Sequence, residues 1–98
     1  MYNAAMADHF KITQSLSELP KRLIIELGQA LGLSLPKLQK MENLPSDMVY
    51  AWLLRQDRVL NVGGEPTKTT LAAALKSISQ PGVADKVEKL QLEEHRQN

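Results

Sequence analysis

The chain contains no cysteine. That absence removes disulfide frameworks, thiol nucleophiles and the cysteine-based structural zinc sites together. Aromatic residues are scarce at 4%, so a core must be built from Leu, Ile, Val and Ala. Such a composition suits packed helices better than a β-sandwich, whose strands favour aromatic and β-branched side chains. An excess of one charge is also missing: Lys and Arg number 12 against 11 Asp and Glu, a net charge of +1. A dedicated nucleic-acid binder carries a basic surplus, so nucleic acid is not an expected partner. No apolar run approaches the ~20 residues that cross a bilayer, and no signal-peptide pattern opens the chain. Membrane insertion is therefore not expected. A cytoplasmic location is, either as a free domain or as the intracellular part of a larger protein or receptor.

What remains is ordinary globular material. Hydrophobic residues make up 43% and charged residues 23% of 98 positions, which is enough for one domain around one core. Residues 1–8 read as a partly flexible flank, 9–91 as the compact domain and 92–98 as a flexible polar tail. A first helix is expected from about Ala4 to Leu16, with Met6 and Phe10 inward and Ile12 a further candidate. Pro20 opens a second helix, in whose first turn its missing N–H costs nothing. Leu19, Leu23, Leu27 and Leu31, widened by Ile24 and Ala30, form its stripe, and Gly32 suits its C-terminal cap. Ser34 caps a short third helix with Leu35, Leu38 and Met41 inward. Ser46 is expected to cap a fourth, with Asp47 at its positive end and Val49, Trp52, Leu53 and Leu60 as its core stripe. Residues 61–66 form a loop, and Thr67 caps a fifth helix carrying Leu71, Ala74, Leu75 and Ile78 at i, i+3, i+4 and i+7. After a break at Gln80-Pro81-Gly82, a sixth helix turns Val83, Ala84, Val87 and Leu90 inward. The expected fold is all-α, a six-helix antiparallel bundle.

Convergent polar chemistry is absent from this pattern. His9 and His95 lie near opposite ends and read as surface residues without metal-ligand partners. Gly63-Gly64-Glu65-Pro66-Thr67-Lys68 superficially suggests a phosphate-binding loop. It lacks the Gly-Lys-Ser/Thr ending, no strand precedes it, and Pro66 removes an amide that phosphate would need. The Glu93-Glu94 pair reads as tail polarity. No catalytic residue, cofactor or metal is expected, and the chain is not read as an enzyme.

Several motifs share a pattern. Trp52 stands in Met48-Val49-Tyr50-Ala51-Trp52 of the fourth helix, and Thr67 precedes Leu71-Ala72-Ala73-Ala74-Leu75 in the fifth. The sixth opens Val83-Ala84-Asp85-Lys86-Val87, and Leu27-Gly28-Gln29-Ala30-Leu31-Gly32-Leu33-Ser34 joins the second and third. From about Phe10 to Leu90 the chain resembles a death domain of the death-fold superfamily. It departs from that pattern at Ile24, where many members have a second Trp, and in the long span from Trp52 to Thr67. The resemblance implies a Greek-key order of the six helices. It also implies a homotypic protein–protein interaction module, an adaptor assembling apoptotic or innate-immune signalling complexes, with other death-fold domains and further copies of itself as partners. The candidate partner-binding residues are Arg55, Asp57 and Arg58 on helix four, Lys37, Lys40 and Glu42 on helix three, and Asp85 and Lys86 on helix six. The alternative reading is a helix-turn-helix DNA-binding domain over residues 27–43, whose second helix offers only Lys37, Gln39 and Lys40.

Overall fold

Where Leu, Ile, Val and Ala recur every three or four residues, the chain coils. The computed structural model describes residues 4–54 and 67–91, and its regular structure there is six helices with no strand. They are α1 (Ala4–Leu16), α2 (Lys21–Ala30), α3 (Leu35–Gln39), α4 (Ser46–Leu53), α5 (Lys68–Ser77) and α6 (Pro81–Glu88). The expected loop at 61–66, Leu60 and the tail lie outside the described residues, as does the side chain of Met6.

The helix ends follow from local hydrogen bonding. Ser34 Oγ accepts from Lys37 N–H at 3.4 Å, and Thr67 Oγ1 accepts from Thr70 N–H at 3.2 Å, so both predicted caps form. Gly32 adopts φ 99°, a left-handed conformation that closes α2, with Gly32 N–H donating to Gln29 O and Leu33 N–H to Gly28 O. The same paired bonds close α5, where Ser79 N–H reaches Lys76 O and Gln80 N–H reaches Leu75 O. There the left-handed position is held by Ser79, at φ 64°. Ser46 does not cap α4 as expected. Pro45 occupies that position after a cis Leu44–Pro45 bond, no side chain caps it, and Ser46 falls inside the first turn. The Asp47 carboxylate instead reaches back to accept from Asn43 N–H at 3.1 Å.

The stripes meet in one core. Ile12, Leu16, Leu27, Leu38, Met48, Val49, Leu71, Leu75, Ala84 and Val87 are fully buried, and Trp52 is 3% exposed. Burying each large aliphatic side chain contributes about 1.5–3 kcal/mol. Helix α5 packs along α6, α1 lies against both α4 and α6, and α2 touches α3, α4 and α5. Two expectations about facing fail. Phe10 is 63% exposed, because Asp8, Ile12 and Leu16, four residues apart, define the inward face of α1 and put Phe10 on the opposite side. Leu35 is 38% exposed, since the five-residue α3 buries only Leu38. Asp8 is the one charged residue buried among those described.

The first and last helices are tied together. Lys11 Nζ of α1 donates to Gln91 O at 2.5 Å, and Lys68 Nζ donates to Glu88 O and Leu90 O at 2.9 and 2.8 Å. Lysines from α1 and α5 thus satisfy carbonyls that the end of α6 leaves open. Lys86 of α6 pairs with Glu18, just beyond α1.

Candidate interaction surfaces

Apolar stripes that meet inside leave function to the outward side chains and the clefts between helices. Three clefts among the described residues bear on this. The first, about 290 Å³, lies between α3 and α4 and is lined by Lys37, Lys40, Met41, Asp47, Tyr50 and Ala51. Helix α3 puts Lys37 and Lys40 three residues apart on one edge, and α4 supplies Tyr50, 41% exposed, on the other. Half-buried Met41 and buried Ala51 complete the lining. The second cleft runs between α1 and α6, with Lys11, Lys86 and Lys89 around Leu90. A third, smaller one between the α1–α2 turn and the segment after α3 includes Lys21, Met41 and Glu42.

The candidate residues from the sequence therefore divide. Lys37 and Lys40 share one cleft, Glu42 lines another, and Lys86 belongs to the α1–α6 cleft. Asp85 points along α6 to Lys89, 3.0 Å away. Arg55, Asp57 and Arg58 lie outside the described residues. The ion pairs that involve candidates, Lys89–Asp85 and Lys86–Glu18, are exposed and worth about 0–1 kcal/mol each, so a partner can displace them. Lys40 and Glu42 make no ion pair among the described residues.

His9 is a correction to the surface reading. Its Nε2 lies 3.0 Å from Ser46 O and 3.2 Å from Ser46 Oγ, and its ring meets Tyr50 edge-on at 6.1 Å. A carbonyl oxygen only accepts, so the contact to Ser46 O requires a proton on Nε2. His9 ties α1 to the start of α4 and backs the Tyr50 wall of the first cleft. No local signal announces this contact, because the two partners are separated by 37 residues. Tyr50 was missed as well; it stood in the α4 motif only as a neighbour of Trp52.

Among the described residues no cluster of His, Asp and Glu could hold a metal, and no helix is long and apolar enough to cross a membrane. No family model, curated protein or solved structure matches the chain.

Proposed function

We propose that this chain is a death-fold module that docks onto other death-fold domains, copies of itself included, and so assembles signalling complexes of apoptotic or innate-immune type. The observation that carries the reading is where the resembling motifs fall. Trp52 is buried in α4, and Thr67 caps α5 above the buried Leu71, Ala74 and Leu75. Gly32 to Ser34 make the α2–α3 turn, and Val83, Ala84 and Val87 are buried while Asp85 and Lys86 face out. Ile24, in place of a second Trp, is core at 1% exposure. Packing of α1 on both α4 and α6, and of α2 on α5, agrees with a Greek-key order of helices.

With the core accounting for the apolar motifs, docking falls to Lys37, Lys40, Glu42, Asp85 and Lys86, together with Arg55, Asp57 and Arg58. Patches of unlike charge on different faces make heterologous contacts, which propagate when the rotation does not close. Light scattering across a concentration series tests this, with association expected to rise with concentration. Asp57→Lys and Arg58→Glu are expected to abolish partner binding at an unchanged Tm. Unchanged binding in both variants removes that segment from the interface. The DNA-binding alternative gains nothing from α3, whose five residues extend only ~7.5 Å.

A further inference from the structure

We infer that the face around Met41, where the α3–α4 groove meets the third cleft, is a two-fold contact between copies of this chain. Its charges carry the inference. Lys40 and Asp47 line the groove, Lys21 and Glu42 line the third cleft, and Met41 lines both. Lys21, Lys40 and Glu42 are exposed and make no side-chain hydrogen bond or ion pair among the described residues. The Asp47 carboxylate makes no ion pair there and only accepts from Asn43 N–H. Lys37, also in the groove, is already engaged and adds nothing to this balance. Elsewhere the outward charges have partners. Arg22 pairs with Glu26, Lys76 with Glu88, Lys89 with Asp85 and Lys86 with Glu18, while Lys11 and Lys68 hold backbone carbonyls.

Unanswered charges of both signs on one face select the occupant. A uniformly acidic or basic partner would bring like charge against half of them. A second copy, turned about a two-fold axis, can set its lysines opposite these carboxylates and its carboxylates opposite these lysines at once, with no charge left over. The net charge of +1 puts little repulsion between copies. Apolar material for the centre is also present. Half-buried Met41 is common to both clefts, and Tyr50 and Leu54, each 41% exposed, stand one turn apart on the same side of α4. Tyr and Met are enriched where proteins meet, and His9 backs the Tyr50 ring, so this surface is set before a partner arrives. Fewer residues line the two clefts than the roughly 20–30 a side of a standard interface, so a weak pair is expected, with Kd on the order of 0.1–1 mM. The contact shares Lys40 and Glu42 with the function proposed above, yet it closes at two chains, whereas unlike patches propagate.

The test is sedimentation equilibrium of the full chain over a concentration series reaching on the order of 1 mM, with amide chemical shifts followed in the same series. The mass is expected to rise from one chain toward two and never beyond, with the concentration-dependent shifts gathered around Met41 and Tyr50. Lys21→Glu/Lys40→Glu leaves the unengaged charges of the face all negative. Glu42→Lys/Asp47→Asn leaves them all positive and keeps an acceptor for Asn43 N–H. Each variant alone is expected to pair at least about tenfold more weakly, and an equimolar mixture of the two to regain association, because opposite faces then meet. Rescue by mixing marks a face that binds itself; a contact between unlike surfaces does not give it. Thermal melts establish that the variants are folded, and the wild-type mass and shift map decide alone if one is not. A mass of one chain throughout, shifts centred on α5 and α6, variants that pair as the wild type does, or no rescue in the mixture would each overturn the inference. Growth past two chains with shifts on two separate faces sinks the two-fold contact and keeps the propagating reading. A limit of two chains with shifts on this face alone does the reverse.

Discussion

At Gly28, α2 packs directly against Leu38 of α3. A Cβ placed there would sit 2.5 Å from Leu38 Cδ2 and 2.9 Å from Cδ1, and Leu38 is fully buried, so it has little room to retreat. Gly28→Ala is expected to destabilise the domain by about 1–3 kcal/mol in urea titration. Because the two positions touch, Gly28→Ala/Leu38→Ala should cost less than the sum of the single changes. Trp52 offers a second residue-scale test. It is 3% exposed, and its Nε1–H has no hydrogen-bond partner among the described residues. Trp52→Ala should cost about 3–5 kcal/mol by opening a cavity. Trp52→Phe should cost clearly less, since it keeps most of the ring and deletes a buried donor that is already unsatisfied. The same titration compares the two.

Helix ends allow a matched pair of predictions. α2 and α5 finish with the same two backbone bonds, yet one uses Gly32 and the other Ser79 in the left-handed position. Ser79→Gly should therefore stabilise by roughly 0.5–1 kcal/mol, and Gly32→Ser should destabilise by about 1–2 kcal/mol, both read from the shift in Tm. Thr67→Ala should cost about 0.5–2 kcal/mol through loss of the α5 cap. These elements were legible in the sequence because each signal is local: a four-residue apolar interval, a capping hydroxyl, a glycine after the last turn. The errors arose where neighbours in space decide. Phe10 lies on a helix whose inward face is chosen by contact with α4 and α6, and Leu35 on one too short to bury two rows of side chains. Ser46 lost its capping role because Pro45 holds the position before α4, and its hydroxyl meets His9 instead. The groove was legible only in part. Lys37 and Lys40 stood out as a charged pair on α3, whereas Tyr50 and His9 join them only through the packing of α1 on α4.

At the scale of the molecule, charges that balance overall are distributed unevenly over the faces. On α5 and α6 the exposed lysines and carboxylates pair with one another or with Glu18, while Lys40, just after α3, makes no ion pair among the described residues. Association through such faces should weaken between low and physiological ionic strength, where the screening length falls toward ~8 Å, and light scattering at the two salt concentrations reads the difference. The tie between Lys11 and Gln91 spans 80 positions, and that between Glu18 and Lys86 spans 68. Within the domain α1 leaves the ribosome before α6, so the part of its inward face that α6 covers stays open until α6 has been made. The nascent domain must remain unfinished, with its first helix available to chaperones, and it closes only once α6 clears the exit tunnel.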